Sequence, residues 1–323
     1  MRAAIENAAS AIAPFVKRTP CRSSAALSEL VGGEVHLKLE NLQESGSFKL
    51  RGVINKVLSL TADQSSRLLV AASTGNHGLA FAHAVDLFGL EGKLFIPRTA
   101  SKVKVDLLRG SGIPFEMVGE NCIEAEQHAH DFARTGDHVW ISPYNDLEVV
   151  HGQGTVGVEL THQLAGVDAV LVPVGGGGLI SGIAAYLKAF NRNIQVIGCQ
   201  PRNSCVMLQS LEAGEIVEAE ERPTLSDGTA GGIEEGSVTF DLCRRFVDDF
   251  ILLDETEIGR AICFLYENEA MAVEGAAALT VAAVMSNGER FAGQRVVAVL
   301  SGSRLDPTVL RRLGCGETDE VSG

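Results

Sequence analysis

Short apolar runs alternate with helix-periodic stretches along nearly the whole chain. Apolar runs at 35–40, 68–72, 93–96, 115–118 and 139–141 predict strands, and the periodicity at 48–60, 76–88, 101–109 and 123–134 predicts helices between them. A second series follows, with a helix at 155–164, a strand at 169–172, a helix at 179–190 and a strand at 195–199. Beyond a polar stretch around 212–237 come a strand at 250–253, helices at 257–268 and 276–285, and a strand at 296–300. Such alternation implies parallel sheets covered by helices. Two sheets of modest size suit this length better than one very wide sheet. The expectation is therefore an α/β protein of two domains with mostly parallel twisted sheets. The acidic segment 314–323 reads as disordered.

Composition narrows the function. The net charge of −14 argues against nucleic acid, whose binding needs a basic face to displace counterions. The 35 glycines beside only 5% aromatic residues suit many tight strand-to-helix turns. Seven scattered cysteines (Cys21, Cys122, Cys199, Cys205, Cys243, Cys263, Cys315) contain no C-x-x-C pair. They read as reduced thiols, with neither a disulfide framework nor a zinc site. No apolar run approaches the ~18 residues of a membrane span, and the N-terminus does not resemble a signal peptide. A cytoplasmic protein acting on a small molecule is expected, with no membrane or nucleic-acid partner. His128 and His130, two apart on a helix, do not share a face, so no metal site is read there.

Candidate chemistry gathers in four segments. Lys49, in Ser45-Gly46-Ser47-Phe48-Lys49-Leu50-Arg51, opens a helix after a strand. The positive end of the helix dipole disfavours its ammonium form, and a neutral amine is what imine formation with an aldehyde requires. Phe48 beside it offers an aromatic face. Ser73-Thr74-Gly75-Asn76-His77-Gly78 lies between a strand and a helix, where exposed backbone N–H groups suit an anion. Gly175, Gly176, Gly177 and Gly178 precede Leu179 at another helix start. Four successive glycines cost backbone entropy, and the gain is close approach of amides to an anion. The run lacks the Gly-Lys-Ser/Thr ending of a P-loop, and the next strand leads to Gln200, not the acid of a dinucleotide site. A phosphomonoester fits better. Ser301 and Gly302 follow the last apolar strand, at the end where α/β proteins place ligands.

Together these strings resemble fold-type II pyridoxal 5′-phosphate (PLP) enzymes, whose fold is like that of the tryptophan synthase β chain, and within them the serine/threonine dehydratase and serine racemase branch. Weaker similarity at Ser142-Pro143-Tyr144-Asn145-Asp146, Gly152-Gln153-Gly154-Thr155 and Ser226-Asp227-Gly228 makes it nearly continuous from about residue 10 to 305. The Ser73 to Gly78 and Ser226 to Gly232 strings also look like the dehydratase of ectoine/hydroxyectoine utilisation. The resemblance implies a large PLP-binding domain at 1–67 and 147–323, a small domain at 68–146, and a homodimer. It implies that Lys49 bonds the cofactor covalently and that Phe48 packs on its ring. Asn76 would meet the ring hydroxyl, the glycines 175–178 with Leu179 the phosphate, and Ser301 the ring nitrogen. Ser73, Thr74, Gly75 and His77 would surround the substrate carboxylate, with Thr74 the candidate second acid/base. The reaction implied is β-elimination of L-threonine or L-serine to a 2-oxo acid and ammonia, with amino acid racemisation as the alternative. Two departures stand out. Ser303-Arg304 replaces the usual Gly-Asn, and Gln200 and Val206 occupy the region where metal-binding relatives carry carboxylates. No metal is expected.

Overall fold

The computed structural model describes residues 1–218, 220 and 222–316. Ten strands among them form two sheets. In chain order they are β1 (Cys21–Ser23), β2 (Glu34–Lys38), β3 (Leu69–Ala72), β4 (Gly92–Ile96), β5 (Phe115–Met117), β6 (Val139–Trp140), β7 (Ala169–Pro173), β8 (Gln195–Pro201), β9 (Asp249–Leu253) and β10 (Arg295–Val299). One sheet runs β1-β2-β10-β7-β8-β9, the other β5-β4-β3-β6. Every pairing is parallel except β1 with β2. The four-stranded sheet uses one continuous stretch of chain, and the six-stranded sheet uses chain on both sides of it. No helix among the described residues is long and apolar enough to cross a membrane.

Strands β7 and β10 are buried on both faces, so they read as unbroken apolar runs. The helix Asn76–Phe88 has the bounds its periodicity predicts. The predicted helix at 155–164 instead begins at Leu147, with Asp146 Oδ1 accepting from Glu148 N at 2.7 Å as its cap. Gly152, Gly154 and Gly157 lower helix propensity and hid that start. Close packing explains them. A Cβ on Gly182, in the Gly178–Phe190 helix, would lie 2.3 Å from Val150 O and 2.5 Å from Gly154 N, so these helices touch backbone to backbone. That contact sets the Gly178 helix start against the rest of the site.

A buried ion cluster anchors the helix Lys49–Leu58. Arg51 donates to both Glu40 oxygens at 2.7 and 2.8 Å and to Glu159 Oε1 at 2.7 Å, while Lys38 Nζ donates to Thr19 O at 2.7 Å. Burial works against the Glu40 charge, but Arg51, with Lys38 and Thr19, more than offsets it and holds the carboxyl below its usual range. Removing one partner of such a set strands a buried charge.

Two expectations need correction. Cys263 and Cys315 form a disulfide with Cα atoms 4.9 Å apart, so not all seven cysteines are reduced. The partners are 52 residues apart, a spacing with no local signature. Cys21, Cys199, Cys205 and Cys243 are free thiols. The segment expected to be disordered begins as ordered chain: Gly314 ends the helix Pro307–Leu313, and Gly316 N donates to Glu267 Oε1 at 2.9 Å. Its residues 317–323 lie outside the described residues.

Candidate active site

The candidate residues sit where parallel strands end. Ser301 and Gly302 follow β10, the glycine run follows β7, Ser73 to Gly75 follow β3, and Pro143 follows β6. Backbone hydrogen bonds stitch the Lys49 loop to the segment after β10. Phe48 N donates to Ser301 O at 3.0 Å, Ser47 bridges to Gly302, and Ser303 N donates to Gly46 O at 3.0 Å. Arg304 Nη2 donates to Ser45 O at 2.9 Å. The unusual Ser303-Arg304 pair therefore braces the loop that presents Lys49.

Lys49 is the first residue of its helix and half-buried. Its Nζ donates to Pro143 O at 2.8 Å and lies 5.3 Å from the centre of the Phe48 ring. Burial pulls its pKa from 10.5 to about 8, with Glu126 and Glu274 opposing. The depressed affinity expected of a helix start is present, but loss of water is its main cause.

Asn76 opens the helix after β3, and its Nδ2 donates to both oxygens of Glu274 at 2.8 Å. Its Oδ1 is buried without a partner. Glu274 is 5% exposed, and burial raises its pKa to about 7. Gly302 completes this corner, since a Cβ there would lie 2.2 Å from Glu274 Oε1 and 2.9 Å from Asn76 Nδ2. Sequence reasoning missed Glu274. Its only signal is a lone acid directly before the largely apolar helix Gly275–Ser286.

The glycine run is equally cramped. A Cβ on Gly175 would lie 2.9 Å from Thr229 O, and one on Gly176 2.5 Å from the Tyr144 ring. Gly177 has φ +84°, the left-handed region that favours glycine, and Gly178 begins a 13-residue helix. Unfilled backbone N–H groups at that helix start suit a phosphate. Leu179 beside it is core. Tyr144 links this run to Lys49, since it follows Pro143.

In the remaining segment, Ser73 Oγ accepts from Gly75 N at 3.1 Å, which shapes the turn holding Thr74. His77 is 3% exposed, and its Nε2 meets Ile141 O at 2.9 Å. Burial, with Lys49 nearby, lowers its pKa to about 3, so the ring is neutral. Gln200 Oε1 accepts from Leu208 N at 3.0 Å, and Val206 is buried. His128 and His130 pack against Phe95 and Trp140.

Comparisons with known proteins identify the family and fold. A family model described as "Pyridoxal-phosphate dependent enzyme" matches residues 12–302. An L-threonine ammonia-lyase of Thermotoga maritima is 39% identical over 309 residues, which is 96% of this chain and 77% of that protein. A catabolic L-threonine dehydratase (TdcB) of Staphylococcus aureus is 38% identical over 308 residues, 94% of this chain and 89% of that protein. The solved structure of maize serine racemase superposes with a TM-score of 0.90 at 33% identity, covering 96% of this chain and 95% of the other.

Proposed function

The chain belongs to the family of pyridoxal-phosphate-dependent enzymes, and from that premise we propose an ammonia-lyase that eliminates water from a β-hydroxy amino acid such as L-threonine or L-serine. The observation that carries this reading most is Lys49, a buried amine held near pKa 8 at the meeting point of strand ends from both sheets. The residues fit the cofactor. Glycines that leave no room for a Cβ end in open helix N–H groups, and Asn76 keeps an unpartnered Oδ1 beside Gly302.

When bound, pyridoxal 5′-phosphate supplies an electron sink for charge developing at the substrate Cα. Gly175, Gly176, Gly177, Gly178 and Leu179 would hold its phosphate, Asn76 its ring hydroxyl, Ser301 its ring nitrogen, Phe48 its ring face and Lys49 its aldehyde carbon. Ser73, Thr74, Gly75 and the backbone N–H of His77, whose neutral ring spends its one proton on Ile141 O, would receive the substrate carboxylate through hydrogen bonds. The Lys49 amine, once displaced by the substrate amine, is a base of suitable strength for the Cα proton near neutral pH. The hydroxyl would leave Cβ as water, its added proton balanced by the one that Lys49 takes from Cα. The enamine then tautomerises to an imine, and addition of water at its C=N carbon gives the 2-oxo acid and ammonia. One water leaves and one enters, so the net change is deamination.

The two sheets are read as a large domain (1–67 with 147–323) and a small one (68–146), and the working form as a cytoplasmic homodimer. Light scattering of purified protein tests the dimer. The enzymatic reading is tested by incubating holoenzyme with L-threonine and L-serine and measuring 2-oxo acid and ammonia together. Equal release of both is expected, and Lys49→Ala should remove turnover and the visible absorption of bound cofactor. Full turnover by that variant would refute the assignment.

A further inference from the structure

Glu274 is an acid where stability alone would favour an apolar side chain. It directly precedes the helix Gly275–Ser286, which packs on β7, β8, β9 and β10 of the six-stranded sheet, and it is 5% exposed. Its side chain makes no capping bond to that helix. The backbone around it has no slack, since a Cβ on Gly275 would lie 2.0 Å from Leu225 O and one on Gly302 2.2 Å from Glu274 Oε1. Burial disfavours its charge and Asp227 adds to that, while the Asn76 bonds and nearby Arg304 oppose them. A carboxyl group buried in such a place costs stability relative to a hydrocarbon of the same size.

In return the carboxyl group holds Asn76, from across the cleft. Asn76 opens the helix that packs on β3 and β4 of the four-stranded sheet, and its Nδ2 donates to both Glu274 oxygens at 2.8 Å. An amide turned over would set Oδ1 against the carboxylate, oxygen against oxygen, so Glu274 decides which end of Asn76 points where. Seen from one nitrogen, the two oxygens of a carboxylate fill a much narrower angle than the one between its two N–H bonds. One N–H is therefore shared between them and the other stays free. Oδ1 is free as well, covered from solvent with no partner. Asn76 thus keeps one donor and one acceptor, and a hydroxyl group can use both at once.

We infer that Glu274 is a positioning residue for the cofactor, holding the Asn76 amide so that its free N–H and Oδ1 meet the ring hydroxyl. This rests on the cofactor contacts proposed above. The ring hydroxyl of pyridoxal 5′-phosphate neighbours the carbon that bears its aldehyde, so fixing the one sets the other against Lys49. Glu274 acts on the ring only through Asn76.

Cofactor binding in the absence of substrate tests this. The ligands are pyridoxal 5′-phosphate and its deoxy analogue, which lacks only the ring hydroxyl, and their dissociation constants are compared by titration of cofactor-free protein. Glu274→Met keeps the volume and removes the polar atoms. It should lower the preference for the natural cofactor about tenfold, the scale of one strong hydrogen bond, while the analogue binds within about threefold of its affinity for the unaltered protein. Asn76→Ala should lower the preference by a similar factor, and the double variant no further than Asn76→Ala alone. Glu274→Gln, whose amide can face Asn76 either way round, should lose at least about threefold of the preference, and it serves if methionine prevents folding. An unchanged preference, or equal weakening of both ligands, would overturn the inference and leave Glu274 a packing residue. Additive losses in the double variant would overturn it too. If the preferences shift as expected but no β-hydroxy amino acid yields a 2-oxo acid, the positioning role stands and the elimination falls.

Discussion

Lys49 should titrate near pH 8 in cofactor-free protein, and its rate of capturing an aldehyde reports that directly. Burial lowers its proton affinity from the ordinary 10.5 to about 8. At pH 7.5 roughly a quarter of the amine is then neutral, against about 0.1% for an ordinary lysine, a gain of about two hundredfold in the attacking form. The assay is stopped-flow growth of visible absorption after mixing cofactor-free protein with pyridoxal 5′-phosphate across a pH series at fixed ionic strength. The rate constant should climb about tenfold per pH unit below the midpoint and level off above about pH 8. Glu126 and Glu274 hold the proton on, so replacing either by glutamine should move the midpoint down. A rate still climbing at the same slope through pH 10 would refute burial as the source of reactivity. So would an upward shift in the glutamine variants.

Three further outcomes follow from the site. Glu274 has a folded pKa of about 7, above its ordinary 4.5, so its stabilising contribution is complete below about 4.5 and lost as pH rises through 7. The effect is on the order of 3 kcal/mol, and urea unfolding of cofactor-free Glu274→Gln should show a shallower decline between about pH 5 and 8 than the unaltered protein. With Thr74 as the proposed second acid/base, its extra methyl would restrict χ1 and crowd the arriving proton; Thr74→Ser should raise D-isomer formation relative to 2-oxo acid, and Thr74→Ala should lower it, by chiral chromatography. Elimination should survive chelator treatment, since the Gln200 amide is spent on Leu208 N and Val206 is apolar. A large loss restored by magnesium would contradict that.

The alternation of apolar runs made both sheets legible, because strands buried on two faces have no choice of composition. The helices Arg2–Ile12, Val206–Ala213 and Val238–Phe246 were not legible, and length does not set them apart, since Lys102–Gly110 is as short as the last and was legible. The four segments around Lys49, Asn76, Gly175 and Ser301 were readable as local strings with unusual backbone demands. Glu126 and Glu274 were not. Glu126 has no local signature, since it shares its helix with Glu124 and Asp131, and the importance of each comes only from what the fold places opposite it. The Cys263–Cys315 pair was hidden for the same reason.

The order of strands in the six-stranded sheet has a consequence for synthesis. Strand β10, the last of its strands to leave the ribosome, inserts between β2 and β7, which are made far earlier. Until residues 295–299 emerge, β2 and β7 have no partner on the edges that β10 joins, and Ser301 and Gly302 are missing from the loop they brace. Between the emergence of β7 and that of β10 the nascent chain therefore presents two open apolar edges, a state that invites pairing with other chains. Cofactor capture by a finished site must wait for nearly the whole described chain. Expression at lower temperature or with holding chaperones should raise the soluble yield more than added cofactor does.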